Sequence, residues 1–161
     1  MKSGRRWELS EGSAASMRGM RISGVTAEDE ELVRGSADYL GPLLPGLLDE
    51  LYEHLLSLPE TAKFFEGQDI GHRKKALVAW AERTIEGPYD EKFWKYITQI
   101  GRVHLKYGIP MYQVVHLMAW LQGNITSALL ASGRPERERE AVAWNKLLTA
   151  QLDPMIEPYF E

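Results

Sequence analysis

The chain has 161 residues, of which 44% are hydrophobic, and a formal net charge of −4, so it is long enough for one domain with a substantial core. The negative charge argues against a nucleic-acid-binding protein, because such proteins usually carry a strong basic bias. The absence of cysteine excludes disulfides, thiolate metal sites and thiol nucleophiles. No apolar run approaches the length of a membrane span.

The first 24 residues mix scattered basic residues with Ser, Gly and Glu, and they lack the apolar stretch of a secretory signal. We therefore predict a mobile tail or a loosely docked arm over residues 1–24 and a single domain over residues 25–161. A chain without a signal sequence and without cysteine is expected in the cytoplasm.

Beyond this tail, the spacing of apolar residues predicts six to seven helices and no convincing strand. They cover residues 26–40, 43–57, 71–85, 90–106 and 110–132, with a last helix from residue 136. Thr26, Asp69 and Asp90 are the candidate N-caps. The last two helices form a long antiparallel pair, and Pro154 and Pro158 are expected to kink or fray its end. This pattern favours an all-α helical sandwich over a simple four-helix bundle, although periodicity alone does not separate the two.

His104 lies near the end of the helix that starts at residue 90, on one stripe with Phe93, Ile97 and Ile100. A histidine on a buried helix face must form a hydrogen bond or bind something. Gly101 removes bulk beside the imidazole, which would let a flat macrocycle lie against the helix, so haem iron is one interpretation. The alternative is a core histidine bonded to a backbone carbonyl, and spacing alone favours it because most single buried histidines are structural.

Four further residues are candidates for a pocket around this histidine. Tyr52, inside a leucine stripe, would donate its hydroxyl proton to a bound gas, or would pack at the core edge with its hydroxyl in water. Leu77 and Trp80 lie one turn apart and would form a pocket wall or plain core. Tyr112 begins the next helix and would hydrogen-bond the ring of His104, or simply pack.

The remaining histidines do not form a metal-binding pattern. His54 and His72 are expected in solvent, whereas His116 lies in an apolar run and is a weaker second candidate for a buried ligand. No two histidines are three or four residues apart and none pairs with a carboxylate in an HExxH pattern, so neither a zinc nor a di-iron site is predicted. Nucleophile-elbow, Walker-type and dinucleotide-binding motifs are also absent from the sequence.

Four segments occur in an order and at a spacing that point to one family. They are TAEDEE at 26–31, LYEHL at 51–55, YDEKFW at 89–94, and IGRVH at 100–104 with GIP at 108–110 and Tyr112. With these segments, the chain from about residue 25 to its end resembles the haem-binding globin domain of bacterial globin-coupled sensors and the related protoglobins. Leu51 departs from the family, because protoglobins often have a tryptophan before the distal tyrosine. Sensors usually continue into an output domain, so we expect either a single-domain globin or the globin part of a longer sensor.

The resemblance implies a globin fold that lacks the D helix and has an extra N-terminal helix. It implies haem b as the cofactor, His104 as the proximal iron ligand and Tyr52 as the distal tyrosine. Leu77 would face the iron from the distal helix, and Tyr112 would lie near the proximal histidine. Together with the stripe described above, the residues expected to contact haem are His104, Tyr52, Leu77, Phe93, Ile97, Ile100 and Tyr112.

A gas sensor or carrier for O2, CO or NO is the function that this resemblance favours, ahead of an enzymatic activity. No nucleic-acid partner is expected from the negative charge. Because the last two helices of the family commonly form a dimeric four-helix bundle, a homodimer is also expected. Two alternatives remain at this point. One is a haem enzyme with peroxidase-like, NO-dioxygenase or nitrite chemistry, and the other is a haem-free helical dimerisation module.

Overall fold

A computed structural model describes residues 14–161 of the chain, with side chains from residue 18. This part of the chain is helical and contains no strand. Its α-helices are α1 (Ala14–Ile22), α2 (Ala27–Gly35), α3 (Ala37–Leu40), α4 (Leu44–Ser57), α5 (Pro59–Ala62), α6 (Ile70–Glu86), α7 (Glu91–Lys106), α8 (Met111–Leu130) and α9 (Glu136–Ile156). Single 3-10 turns follow α3, α5 and α9 at Gly41–Leu43, Lys63–Phe65 and Glu157–Phe160. The predicted all-α class is confirmed.

Side-chain caps begin the helices where the sequence predicts them. Thr26 accepts a hydrogen bond from the backbone N–H of Asp29, whose carboxylate accepts one from the Thr26 N–H in return. Asp69 caps α6, and Asp90 caps α7 by accepting from the N–H of Phe93 at 3.0 Å. Each cap satisfies an N–H group that a helix start otherwise leaves without a partner.

The helix predicted over residues 26–40 is interrupted at Ser36. Its buried hydroxyl donates to the carbonyl oxygen of Val33 at 2.6 Å and accepts from the indole N–H of Trp144 at 2.9 Å. A serine that bonds a nearby carbonyl competes with the regular helix pattern. At the break between α2 and α3, the Ser36 side chain is therefore hydrogen-bonded to Trp144 of α9.

Helix α9 is the centre of the fold and packs against α8, α7, α2 and α1. Its pairing with α8 is antiparallel, because Gln122 bonds the Thr149 hydroxyl whereas Thr126 bonds the side chain of Asn145. The helix continues through Pro154 to Ile156, and a 3-10 turn that contains Pro158 follows it. None of the helices within residues 14–161 combines the length and apolar character needed to cross a bilayer.

Helix α1 packs on α9 and lies within the segment for which a tail or arm was predicted. Arg18 pairs with Asp153 at 2.6 Å, Met20 is buried, and Gly19 lies close to the backbone of Ala150. Residues 14–22 therefore form a helix that packs on α9, and the division of the chain at residue 25 stays a prediction. The sequence shows little sign of this docking because α1 is short and, among its residues 18–22, only Met20 is buried. Residues 1–13 of the expected tail lie outside the described residues.

The contact between α7 and α9 is closest at Gly101. A Cβ atom built on this glycine would lie 2.1 Å from the carbonyl oxygen of Met155. Gly101 is thus needed for the approach of two helix backbones. The expectation that it makes room for a flat macrocycle is corrected, because its Cα faces α9.

Candidate functional site

A cavity of about 400 Å³ lies between α4, α6, α7 and α8. Its wall is largely apolar and includes Leu51 and Leu55 from α4, Leu77 from α6, and Val114 and Leu117 from α8. Ligand pockets in proteins have volumes of roughly 300–1,000 Å³ and are mostly apolar with a few polar groups. This cavity fits that description, and His104 and Tyr52 are among its polar groups.

His104 is placed near the end of α7, and its ring forms a hydrogen bond to its own helix. The Nδ1 atom lies 2.7 Å from the carbonyl oxygen of Ile100, one turn earlier. A carbonyl can only accept, so Nδ1 carries the proton in this bond. Burial lowers the pKa of His104, the bond to Ile100 opposes this shift, and the positive charge of Arg73 adds to the lowering.

A neutral His104 ring with its proton on Nδ1 has a lone pair on Nε2. No described residue forms a hydrogen bond with that nitrogen, and the side chain lines the cavity. The bond to a backbone carbonyl is the arrangement expected of a structural histidine. The same bond is also the one that orients metal-bound imidazoles in proteins, so the unfilled space beside the ring is what distinguishes the two interpretations.

Tyr52 lines the cavity from α4 and is 7% exposed. Its ring packs edge-on against Phe65 with 5.6 Å between centroids. No described residue accepts a hydrogen bond from its hydroxyl, and burial raises the pKa of the phenol, a shift that the charge of Arg73 opposes. The hydroxyl therefore keeps its proton and is a donor without a protein acceptor.

Leu77 and Trp80 both line the cavity from α6, as the sequence suggests. Trp80 also anchors α6 to α9, because its indole N–H donates to the side-chain oxygen of Gln151 at 2.8 Å. Gln151 is fully buried, and its amide nitrogen donates to the hydroxyl of Thr84 at 3.3 Å. This buried chain of hydrogen bonds holds one wall of the cavity in place.

Replacing Gln151 by leucine is expected to lower the free energy of unfolding by about 1–3 kcal/mol, because the buried indole N–H of Trp80 loses its acceptor. Urea denaturation of the purified protein measures this change. The matched control is the same replacement in a Trp80→Phe background, where the cost should be smaller. An equal cost in both backgrounds would show that the Trp80 bond is not the cause.

Two residues of the predicted stripe, Phe93 and Ile97, do not line the cavity. Both are fully buried in the core, and Phe93 packs between the rings of Tyr89 and Trp94 at 5.0 and 4.9 Å. The expectation that they contact a ligand is corrected, because this side of α7 faces the rest of the core. Ile100 does line the cavity, and the adjacent face adds Tyr96, Gln99 and Val103.

Tyr112 is 55% exposed and does not line the cavity. Its hydroxyl accepts a hydrogen bond from the side chain of Gln113 at 3.4 Å, so the expected bond to His104 is absent and the carbonyl of Ile100 takes that role. The next residue along α8, Gln113, lines the cavity instead. The difference arises because one residue changes direction on a helix by about 100°.

The other three histidines do not line this cavity. His116 is exposed on the outer face of α8, so the expectation of a buried second ligand is wrong. His54 is half-buried and stacks on Trp120 at 5.7 Å, rather than being simply solvated. His72 is exposed near the start of α6, as expected. Across residues 18–161, no three His, Asp or Glu side chains form a group that would hold a metal ion by themselves.

Arg73 and Tyr107 line the cavity as well, and the sequence analysis missed both. Arg73 lies one turn before Leu77 on α6, so the helical spacing could have predicted that both residues face the same cavity. Tyr107 follows the last turn of α7, three residues after His104, and this spacing likewise places it on the side of His104. The ring of Tyr107 stacks under the guanidinium of Arg73 with 4.5 Å between them.

The model of the protoglobin family matches residues 18–161. The chain belongs to the protoglobin family. Among solved structures, the globin domain of the Geobacter sulfurreducens globin-coupled sensor is similar, with a TM-score of 0.80 and 26% sequence identity over 89% of this chain and 97% of that chain. A search of curated protein sequences found no match. The predicted globin fold is confirmed.

Membership of the protoglobin family implies a haem cofactor and a diatomic gas as ligand. The residues of this chain fit such a cofactor. The cavity is apolar, side chains leave it unfilled, and one wall presents the imidazole nitrogen of His104 without a protein partner. Because no other described side chains cluster as metal ligands, iron held here would take its remaining ligands from a porphyrin and from the gas.

Proposed function

We propose that this protein is a gas sensor or carrier that holds haem b through His104 and binds a diatomic gas reversibly. The observation that carries the proposal is the neutral, half-buried imidazole beside an unfilled apolar cavity. When bound, haem supplies a ferrous iron with one position for His104 and one for a gas. Ile100 fixes the tautomer of the ring, so His104 presents its Nε2 lone pair in the form that coordinates iron.

The test of this proposal is reconstitution. Purified protein mixed with one equivalent of haem is expected to show the intense Soret absorption of a histidine-ligated globin, which shifts when the reduced form is exposed to CO or oxygen. A haem-free dimerisation module would fill its interior with side chains, since protein cores are close-packed. A protein that gains no Soret band, with its cavity closed by side chains, would contradict the proposal.

Tyr52 is proposed to stabilise oxygen in the cavity. Its hydroxyl is protonated, lies in an apolar wall and has no acceptor among the described residues. A donor of this kind would favour oxygen over CO, because bound oxygen would be the stronger hydrogen-bond acceptor of the two. Replacing a hydrogen-bonded donor in a dry site changes affinity by about 1–2 kcal/mol.

Tyr52→Phe is expected to raise the oxygen dissociation rate about tenfold while leaving CO affinity nearly unchanged. Stopped-flow mixing and CO photolysis on the haem-loaded protein measure the two quantities. Tyr96→Phe is the matched control, because Tyr96 also lines the cavity but lies on the helix of His104. Equal changes for both gases, or a larger oxygen effect in the Tyr96 variant, would rule out the donor role of Tyr52.

We also propose a homodimer through the outer faces of α8 and α9. Ala119, Gly123 and Ser127 form an exposed row of small residues on α8, which would permit close helix packing. Leu130 and Val142 are apolar and exposed on the same helix pair. Sedimentation of the haem-loaded protein measures the assembly state. The cytoplasmic location remains a prediction from the sequence.

A further inference from the structure

A second cavity, of about 230 Å³, adjoins the apolar one and has a different character. The two share Arg73, Val103 and Tyr107 in their walls. The remaining wall of the second cavity is polar and consists of Gln68, Asp69, His72 and Lys106. We call this second cavity the polar annex. It lies at the surface, since His72, Lys106 and Tyr107 are exposed.

Arg73 stands at the junction of the two cavities and is held in place from two sides. Its guanidinium lies over the ring of Tyr107, and its Nη2 donates to the side-chain oxygen of Gln68 at 2.9 Å. No carboxylate among the described residues forms an ion pair with it. The acid of the annex, Asp69, is already engaged as the cap of α6, where it accepts from the N–H of His72.

The charge of Arg73 acts inside the apolar cavity as well as in the annex. It shifts the pKa of His104 downward and opposes the burial effect on Tyr52. A half-buried cation without a counter-ion at the edge of an apolar space is unfavourable by itself. An anion delivered by a ligand of the apolar cavity would neutralise it.

We propose that the polar annex binds a carboxylate of the haem, a propionate group, with Arg73 as its principal partner. This inference rests on the proposed function. Haem is an apolar plate with two carboxylates at one edge, and the joined cavities offer an apolar slot with a basic opening at one side. The planar guanidinium of arginine matches a carboxylate with two parallel hydrogen bonds, and Lys106 adds a second positive charge to the annex.

The position of Arg73 favours this role over direct action on the gas. Tyr107 and Gln68, which hold its guanidinium, both line the annex. Gln68 lines the annex and not the apolar cavity, so the hydrogen bond from Arg73 to Gln68 holds the guanidinium on the annex side of the junction. A carboxylate in the annex would meet the guanidinium on that side.

The experiment compares two ligands in the same protein, ferric haem and its dimethyl ester, which lacks both negative charges. Haem release to an excess of apomyoglobin is timed for the wild type, Arg73→Gln and Arg73→Lys. Lys75→Ala is the control, because Lys75 is an exposed cation on the same helix outside both cavities. Absorption spectra establish that His104 remains the iron ligand in each case.

Arg73→Gln is expected to release haem about tenfold faster than the wild type, as charge-assisted hydrogen bonds predict. The dimethyl ester should leave both proteins at nearly the same rate. Arg73→Lys should recover part of the difference, and Lys75→Ala should behave as the wild type.

Equal haem release from Arg73→Gln and the wild type, or the same increase for haem and ester, would overturn the propionate role while leaving the proposed function intact. Faster oxygen dissociation in Arg73→Gln with unchanged haem release would instead assign Arg73 to the gas. A wild-type protein that takes up neither haem nor ester would overturn the proposed function, and this inference with it.

Discussion

Replacing His104 by glycine is expected to abolish stable haem binding, and added imidazole is expected to restore it. Among the described residues, no histidine other than His104 lines the apolar cavity. Glycine opens the volume of the imidazole ring while leaving the carbonyl of Ile100 free to accept a hydrogen bond from a soaked imidazole. Haem titration followed by the Soret absorption, with and without imidazole, measures the effect.

The matched controls for this variant are His54→Ala and His116→Ala. Both should bind haem as the wild type does, since His54 stacks on Trp120 and His116 is exposed. Glycine within a helix costs about 1 kcal/mol relative to alanine. Far-ultraviolet circular dichroism of the apo-protein should therefore show that the His104→Gly variant is folded. A His104→Gly protein that keeps a normal haem spectrum without imidazole would refute the assignment of the proximal ligand.

Gly101→Ala is expected to lower the free energy of unfolding by about 3 kcal/mol, at the upper end of the usual cost of overpacking. The new methyl group would lie 2.1 Å from the carbonyl oxygen and 2.9 Å from the carbonyl carbon of Met155. Both are backbone atoms of α9, so no flexible side chain can move aside and the two helices must separate. Alanine is the better helix former by up to about 1 kcal/mol, which offsets part of the penalty.

Urea denaturation of the apo-protein measures the effect of Gly101→Ala, with Gly46→Ala as the control. Gly46 lies in α4 with no neighbouring atom within 4 Å of an added Cβ, so its replacement should be neutral or slightly stabilising. Because Met155 also lines the cavity and His104 is one turn from Gly101, the variant should release haem faster as well. Unchanged stability of Gly101→Ala would show that α7 and α9 are not in close backbone contact.

Local sequence signals determined most of the helices in this fold. The box formed by Thr26 and Asp29 and the caps at Asp69 and Asp90 depend on residues three positions apart, so the sequence alone contains them. The hydrogen bond from Trp144 to Ser36 could not be predicted in this way, because the two residues are 108 positions apart. The docking of α1 depends in the same way on its contacts with α9.

Helical phase offered His104, Tyr52 and Leu77 as candidates for one pocket, and all three line the same cavity. The phase of α7 does not say which part of its apolar surface faces the cavity and which part faces the core. Phe93 and Ile97 therefore look the same as Ile100 in the sequence.

The sequence by itself determined that this protein is helical, where its helices start, and that one histidine lies on a buried helix face. Tertiary structure decided that Gly101 faces a neighbouring backbone and that Tyr112 points away from His104. It also decided that Arg73 stands where an apolar cavity meets a polar one. The physical reason is that caps and periodicity act within a few residues of the chain, whereas a cavity is defined by the distances between helices that are far apart in sequence.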